Sequence, residues 1–223
     1  MSTTANTPNA DSPLCPIRLD GHPLSGHAHR VELFLSLLGL PFEKVTVDLA
    51  RAEHKGPAFL ALNPFGQLPV IEHGDLVLAD SNAILVYLAL TFDPGAQWLP
   101  RDPVGAARVQ GWLSVAAGQL AGGPATAPVA VVFSRPVDQA PRDVAARLFA
   151  LMEQHLAAQA FLAPANPTIA DRCAVQLHRT RTRRRREPGA VSATAPVARA
   201  SRGLAALRRP DAQHRARSHG LKA

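Results

Sequence analysis

Two polar stretches of the sequence combine residue types that could bind a charged small molecule. Ser25 stands before a predicted helix, where a hydroxyl and the helix N-terminus favour an anion. Asp80 and Ser81 stand at the predicted start of another helix, where a carboxylate can hold an ammonium group and a hydroxyl with a backbone N–H can hold a carboxylate. Both stretches also have a simpler interpretation, as ordinary helix N-caps.

The cysteines and the clustered histidines do not indicate a metal or redox centre. Cys15 and Cys173 lie far apart without a CxxC motif, which argues against a disulfide framework or a zinc site and suits a reducing compartment. Cys15 precedes a proline at the start of the first predicted strand, so we interpret it as inert. His22, His27 and His29 lack a carboxylate or cysteine at ligand spacing, and we predict no metal there.

Hydrophobic periodicity in the first 98 residues predicts a mixed α/β domain. Alternating apolar residues predict strands and helical spacing predicts helices. The predicted strands lie at 17–19, 45–49, 69–72 and 76–78, and the predicted helices lie at 31–38, at 59–60 and from 80 onward. The order β-α-β-α-β-β-α joins a parallel βαβ unit to a hairpin, which is the thioredoxin-like pattern.

The chain after Trp98 predicts only helices. Two apolar helix faces are indicated, one formed by Val109, Trp112, Leu113 and Ala116 and the other by Val144, Leu148, Leu151 and Leu156. Thr168 and Asp171 have the spacing of a capping box, with Asp in place of Glu or Gln, and predict the start of a last helix. The expected organisation is a disordered leader at 1–14, a thioredoxin-like domain at 15–98, an all-α domain at 103–171 and a tail at 172–223.

Composition limits the class of protein. A chain of 223 residues, of which 47% are hydrophobic, can form one large or two small domains with a real core. Residues 1–11 are polar, and no apolar run approaches the roughly 20 residues of a spanning helix, so we expect neither a signal peptide nor a membrane segment. A cytoplasmic enzyme is the expectation.

Positive charge is concentrated in the last part of the sequence. Residues 1–171 contain 10 Lys or Arg against 15 Asp or Glu, net −5, whereas residues 172–223 contain 14 against 2, net +12. No Phe, Tyr or Trp occurs after Phe161. The last part is therefore either a disordered basic tail or sequence translated out of frame.

Four stretches together resemble the bacterial glutathione S-transferases. They are SGHAHRVEL from Ser25, EHKGPAFLALNPFGQLPV from Glu53, ADSNAILVYL from Ala79 and PTIAD from Pro167. The resemblance covers roughly two thirds of the chain, beginning near residue 16. It implies a glutathione-binding thioredoxin-like domain (β-α-β-α-β-β-α) followed by an all-α helical domain.

The resemblance implies that Ser25 is the catalytic residue. Its hydroxyl would donate a hydrogen bond to the sulfur of bound glutathione and favour the thiolate over the thiol, whose ordinary pKa is about 8.5. The nucleophile is then the sulfur of the co-substrate, and no metal takes part. Many relatives with this motif have Asn where this chain has His27, so an amide contact to the thiolate is missing.

The same resemblance assigns further residues to glutathione binding. The Leu68–Pro69 peptide bond would be cis, and the backbone of Leu68 would pair with the cysteinyl backbone of glutathione. Asp80 and Ser81 would hold the γ-glutamyl end. His54 and Gln67 would reach the glycyl carboxylate.

The implied function is conjugation of the glutathione thiolate to a hydrophobic electrophile, as in detoxification, by a homodimer. In relatives the electrophile lies between the two domains, which makes Trp112 a candidate contact. A glutathione-dependent disulfide oxidoreductase is the nearest alternative. A non-catalytic scaffold whose basic tail binds nucleic acid ranks third, because the tail lacks aromatic residues for base stacking.

We also predict that residues from about Cys173 onward are translated out of frame. The helix predicted at 167–171 is followed by no apolar face, and Arg, Ala and Pro dominate, as in GC-rich DNA read in a wrong frame. Allowed codons from Gln176, shifted by one base, can encode SYTAHAPEGDV. Continued through Arg209, the same shift can give a sequence with Tyr, Trp and Leu that resembles the closing helices of the family.

Overall fold

The computed structural model describes residues 16–122, 139–163 and 166–173. The expected leader at 1–14, Cys15 and the sequence after Cys173 lie outside these ranges. The chain divides into two compact units between Phe92 and Asp93. This division falls before the expected boundary at residue 98, because the backbone N–H of Ile169 donates to the carbonyl of Trp98 at 2.9 Å and Trp98 thus belongs to the second unit.

A four-stranded mixed sheet forms the first unit together with three helices. The elements are β1 (Ile17–Gly21), α1 (Gly26–Leu37), β2 (Phe42–Thr46), α2 (Pro57–Leu62), β3 (Val70–His73), β4 (Leu76–Ala79) and α3 (Ser81–Phe92), with a short 3-10 turn at Glu53–Lys55. The strand order is β2-β1-β3-β4, with β1 and β2 parallel and the other pairs antiparallel. The predicted order β-α-β-α-β-β-α and the thioredoxin-like fold are confirmed.

The two central strands of the sheet carry buried apolar residues of the first unit's core. Ile17 and Leu19 on β1 and Val70 and Ile71 on β3 are fully buried. The second strand lies at Phe42–Thr46 and not at the predicted 45–49. The sequence pattern was misleading there because Val47, although buried, follows the strand and only its backbone N–H still reaches the sheet, donating to the carbonyl of Gly21 at 2.9 Å.

The turn of the β3–β4 hairpin has two residues, one fewer than the three between the predicted strands. His73 pairs with Leu76, so the turn consists of Gly74 and Asp75, and Gly74 has a φ of +59°. This left-handed conformation favours glycine in a tight hairpin turn. The hairpin is tied to α3 because Nδ1 of His73 lies 2.7 Å from the hydroxyl of Tyr87.

Helices form the described part of the second unit. Helix α4 (Pro103–Val115) continues into a π-helical turn at Ala116–Leu120, and α5 spans Gln139–Ala158. The predicted face of α4 is confirmed by the burial of Val109, Leu113 and Ala116, while Trp112 is half-buried with its ring 5.0 Å from that of His155.

The predicted face of α5 needs a correction. Leu148 is buried as expected, but Leu151 is 58% exposed and Met152 is buried instead. Residues four apart lie above one another on a helix, so Leu148 and Met152 share one buried face of α5. Leu151 lies at the edge of this face.

The capping box at Thr168 and Asp171 is confirmed. The carboxylate of Asp171 accepts from the backbone N–H of Thr168 at 2.8 Å, and the Thr168 hydroxyl oxygen accepts from the N–H of Ala170 at 3.3 Å. The helix that follows runs through residues 169–173, two residues beyond the expected domain boundary at 171. Arg172 and Cys173 are buried, and the Arg172 guanidinium lies 5.0 Å from the ring centre of Trp98.

None of the helices in the described ranges is long and apolar enough to cross a membrane.

Candidate functional site

One end of the sheet gathers the loops that carry the predicted site residues. Asp20 near the end of β1 pairs with Val70 at the start of β3, and Val70 pairs with Ala79 at the end of β4. The loop after β1, the loop before β3 and the loop after β4 therefore leave the sheet at the same end. These loops contain Ser25, Leu68–Pro69 and Asp80, respectively, and Ser81 follows Asp80 as the first residue of α3. The parallel strand β2 ends there too, and the chain that follows it leads to His54.

Ser25 is the N-cap of α1. Its φ and ψ are extended, and its Oγ accepts a hydrogen bond from the backbone N–H of Ala28 at 3.1 Å. The side chain is half-buried. Because this contact uses the oxygen as an acceptor, the hydroxyl proton remains for another acceptor. The helix N-terminus at Gly26 adds partial positive charge beside it.

Asp80 forms the turn between β4 and α3. It has a φ of +70°, a left-handed conformation that Asp tolerates better than most residues. Its Oδ1 accepts from the backbone N–H groups of Asn82 at 2.9 Å and Ala83 at 3.0 Å. The side chain is exposed, so the second carboxylate oxygen is accessible to a cationic group at the start of the helix.

Ser81, the first residue of α3, contacts α1 through His27. Ser81 is only 3% exposed, and its Oγ lies 3.1 Å from Nδ1 of His27. Burial, and to a lesser degree the charge of Arg30, lowers the pKa of His27 to about 4, against an opposing effect of Asp80. His27 is therefore neutral at physiological pH.

Arg30 also connects α1 and α3. Its Nη1 donates to Oδ1 of Asn82 at 2.9 Å, and its Nη2 contacts Nδ1 of His27. Sequence reasoning did not assign a role to Arg30 or Asn82. The only signal was a charged residue between Ala28 and Val31 on the buried face of α1.

The loop before β3 is built by its own side chains. Asn63 is buried, donates to the carbonyl of Gln67 at 2.9 Å and accepts from the N–H of Phe65 at 3.1 Å. Lys55 donates to the carbonyls of Phe65 and Gly66 at 3.2 and 3.1 Å, which holds the loop against the 3-10 turn. Sequence reasoning also missed these supports.

The Leu68–Pro69 peptide bond is cis, as the resemblance implied. Leu68 is half-buried, Pro69 is buried, and both directly precede β3.

His54 lies beside the loop before β3, and Gln67 lies within it. His54 lies in the 3-10 turn, half-buried, and its Nδ1 is buried without a hydrogen-bond partner among the described residues. Its carbonyl approaches Gly66 so closely that a Cβ there would come within 2.6 Å of the oxygen. The side chain of Gln67 is exposed. The turn thus brings His54 next to the loop that carries Gln67.

The clustered histidines have separate partners. Nδ1 of His22 accepts from the N–H of Leu24 at 3.1 Å, His27 contacts Ser81 and Arg30, and Nδ1 of His29 lies 3.9 Å from Glu32. In the ranges that the structure describes, no three His, Cys, Asp or Glu side chains are grouped as metal ligands would be.

Comparison with known proteins assigns a family to this arrangement. Residues 16–90 match the family model for the glutathione S-transferase N-terminal domain. Glutathione S-transferase 3 of Zea mays is 36% identical over 197 residues, covering 81% of this chain and 85% of the maize protein. Glutathione S-transferase theta-2 of Homo sapiens is 38% identical over 90 residues, covering 40% of this chain and 37% of the human protein.

A solved structure supports the same assignment. The crystal structure of a possible glutathione S-transferase from Rhodopseudomonas palustris matches with a TM-score of 0.68 and 28% identity, over 77% of this chain and 85% of that one. The fold and the relatives define a two-domain transferase with a thioredoxin-like first domain. The chain belongs to the glutathione S-transferase family, and glutathione transferase is the function that its fold and relatives support.

Proposed function

We propose that the first unit binds glutathione across the end of its sheet, with Ser25 as hydrogen-bond donor to the sulfur, and that the thiolate is transferred to a hydrophobic electrophile. The observation that carries the proposal is the strand register, which gathers Ser25, Leu68–Pro69 and Asp80–Ser81 at one end of the sheet. A tripeptide needs contacts at its two ends and along its backbone, and this arrangement offers each of them.

The sulfur chemistry rests on Ser25. Because the oxygen of Ser25 already accepts from Ala28, its proton is free to stabilise a thiolate beside the N-terminus of α1. The thiolate lone pair then forms a carbon–sulfur bond while the leaving group departs with the electron pair of the bond that breaks. Ser25 donates a hydrogen bond throughout and exchanges no proton with the electrophile.

The two ends of glutathione are recognised by charge. The exposed carboxylate of Asp80 suits the γ-glutamyl ammonium, and Ser81 with the start of α3 suits the γ-glutamyl carboxylate. The backbone of Leu68, next to β3, suits the cysteinyl backbone. His54, in the 3-10 turn beside the loop at 63–67, and Gln67, at the end of that loop, suit the glycyl carboxylate.

Binding to immobilised glutathione tests this assignment. Asp80→Ala and Ser81→Ala are each expected to weaken binding by roughly 1.5 to 3 kcal/mol, because each removes a charge-assisted bond to the γ-glutamyl end. Asp75→Ala, in the exposed hairpin turn, is the matched control and should bind like the unmodified chain. Full retention of affinity by both site variants would rule out the assignment.

The reaction type is tested by a choice of substrates. Turnover of an aryl halide with glutathione is the expected outcome for a transferase. Preferential turnover of a mixed glutathione disulfide would instead identify the disulfide oxidoreductase. We favour the transferase because the N-cap that faces the candidate sulfur position is serine, which cannot form a mixed disulfide.

We further propose that the chain is a Ser-type transferase of the bacterial kind, that it acts in the cytoplasm and that it forms a homodimer. The motif from Ser25 supports the first, and what is typical of the family supports the other two. Light scattering on purified protein at micromolar concentration tests the dimer, and a monomer mass would refute it.

We also propose that the sequence from about Cys173 is read out of frame. The change from net −5 to net +12 and the loss of aromatic residues support this, as does a well-formed capping box at Thr168 that is followed by a run of arginines. Resequencing the locus is the test. An uninterrupted frame with no inserted or missing base near the codons for 171–176 would refute the proposal.

A further inference from the structure

Arg30 is a cation in the interior of the first unit. It is 1% exposed, and in the described part of the chain no Asp or Glu forms an ion pair with it. Its Nε is buried without a hydrogen-bond partner. Burying a charge without a carboxylate partner is costly, so an apolar side chain would serve better if Arg30 only filled space.

The two terminal nitrogens of Arg30 reach neutral partners on two helices. Nη1 donates to Oδ1 of Asn82, the second residue of α3, at 2.9 Å. Nη2 contacts Nδ1 of His27 on α1, three residues before Arg30 itself. The planar guanidinium can hold both partners at once because its donors point in fixed, different directions.

The contact with Arg30 determines the tautomer of His27. A guanidinium has donors and no acceptor, so Nδ1 of His27 must be unprotonated and the ring proton must lie on Nε2. Ser81 Oγ lies 3.1 Å from the same Nδ1, whose one lone pair already accepts from Arg30, so the hydroxyl proton of Ser81 remains for a ligand carboxylate. Arg30 thus fixes the orientation of both residues that follow Asp80. It contacts Asn82 directly and reaches Ser81 through His27.

We propose that Arg30 is a positioning residue for the γ-glutamyl end of glutathione, acting through His27 on Ser81 and through Asn82 on the start of α3. This inference rests on the proposed function, because it concerns the same site. The side-chain bonds of Arg30 reach His27 and Asn82, whereas Ser25 Oγ is bonded to Ala28. Its loss therefore affects the binding of glutathione and leaves the activation of the sulfur intact.

The test uses the full-length chain with Arg30→Lys and Arg30→Met. Lysine keeps the charge, but a single ammonium on a flexible stem cannot span His27 and Asn82 in one geometry. Both variants are expected to raise the Kd and KM for glutathione about tenfold, the effect of one lost charge-assisted bond, with kcat within about threefold. Arg51→Lys, an exposed arginine of the same unit, is the control and should change neither value.

Nitrogen NMR of the His27 ring gives a readout that a merely structural role would not move. In the unmodified chain we expect the Nε2–H tautomer of His27 and a His27 pKa of about 4. In Arg30→Met we expect the tautomer preference to weaken and the pKa to rise. An Nδ1–H tautomer or a protonated His27 at pH 6.5 in the unmodified chain overturns the inference without any variant.

Ser81→Ala separates failure of this inference from failure of the proposed function. If Ser81→Ala weakens glutathione binding and Arg30→Lys does not, only the role of Arg30 is refuted. If neither variant affects binding, the assignment of the γ-glutamyl end fails and the inference falls with it. A fall in kcat with unchanged glutathione Kd in Arg30→Lys also overturns it.

Discussion

The hydroxyl of Ser25 has two hydrogen-bonding functions that do not exclude each other. Its oxygen accepts from the N–H of Ala28 and thereby caps α1, while its proton is free for a ligand. The structural and the catalytic interpretations of this residue are therefore compatible. The cap also fixes the position of the oxygen, which a donor to a charged sulfur requires.

Ser25→Ala is expected to lower kcat between tenfold and a thousandfold and to leave glutathione affinity within a few fold, because one donor to the thiolate is lost and the peptide contacts remain. The measurement is steady-state turnover of an aryl halide together with glutathione binding. Unchanged turnover would contradict the assignment of Ser25.

A second substitution at this position separates capping from catalysis. Ser25→Asp keeps an N-cap acceptor for the N–H of Ala28 and has no proton to donate at neutral pH. It should retain the stability that Ser25→Ala loses, about 1 kcal/mol, and still lose turnover. Recovery of turnover in Ser25→Asp would show that only the cap matters.

The stability of the protein is expected to depend on pH through His27. Its folded pKa of about 4 lies below the ordinary value of 6.5, so between these values the unfolded chain binds more protons than the folded one. The contribution of neutral His27 to the free energy of unfolding is therefore complete above pH 6.5. It decreases by up to about 3 kcal/mol as the pH falls from 6.5 to 4.

His27→Asn is expected to remove this part of the pH dependence. Urea denaturation of both proteins at pH 7, 5.5 and 4.5 measures it, and the difference between the two curves isolates the contribution of this residue from the other titrating groups. Parallel curves for the two proteins would mean that His27 is not held neutral by burial and Arg30.

At the scale of elements, the capping box at Thr168 anchors the last described helix. Asp171 is buried and accepts from the N–H of Leu162 as well as from the N–H and the hydroxyl of Thr168. Burial raises the pKa of this carboxyl, against the effect of these hydrogen bonds. One side chain thus connects the start of the helix to the segment that follows α5.

Asp171→Ala is expected to lower the free energy of unfolding by about 2 to 4 kcal/mol, because it leaves several buried donors without a partner. Asp102→Ala is the matched control. Asp102 caps α4 at an exposed position through the N–H of Gly105, so its loss should cost only about 1 kcal/mol. Equal losses in the two variants, measured in urea, would contradict the importance of burial at Asp171.

Local signals in the sequence predicted most elements of the first unit. The hairpin, the helix from Ser81 and the capping box were recognised because turn residues, caps and periodicity act over a few residues. The second strand was misplaced because Val47 is buried after the strand has ended. The sequence pattern placed Leu151 on the buried face of α5, where the structure has Met152. Periodicity alone does not determine which of two neighbouring apolar residues is buried.

Of the candidate site, the sequence predicted only those residues that belong to a recognisable motif. The structure brings their loops to one end of the sheet, which the order of elements already implied. Arg30, Asn63 and Lys55 escaped notice because each acts through a partner distant in sequence or through backbone carbonyls. Such contacts depend on tertiary packing and leave no spacing pattern.

At the scale of the whole molecule, the described second unit exposes apolar side chains. Leu151 is 58% and Val104 60% exposed, whereas Leu148 is buried. Exposed apolar surface of this kind reduces solubility when it is not covered. If the last part of the chain is out of frame, the sequence that should cover apolar faces is missing.

Replacing the sequence from Gln176 by the shifted reading that begins SYTAHAPEGDV is expected to raise soluble yield and the melting temperature. A melting temperature at least about 4 °C higher would correspond to a gain of roughly 1 kcal/mol or more. A scrambled tail of the same composition as the shifted reading is the control. Equal stability of the replaced and the original chain would contradict the out-of-frame proposal.

Gly66 and Gly74 share one backbone conformation but should differ in mutational tolerance. Their φ angles are +57° and +59°, yet a Cβ on Gly66 would meet the His54 carbonyl at 2.6 Å, whereas a Cβ on Gly74 would meet nothing within 4 Å. In a saturation library selected for glutathione binding, position 74 should accept Asn and Asp, which tolerate a positive φ. Position 66 should accept no side chain at all, because the obstacle is the main-chain carbonyl of His54, and Lys55 holds the loop in place by donating to the carbonyls of Phe65 and Gly66.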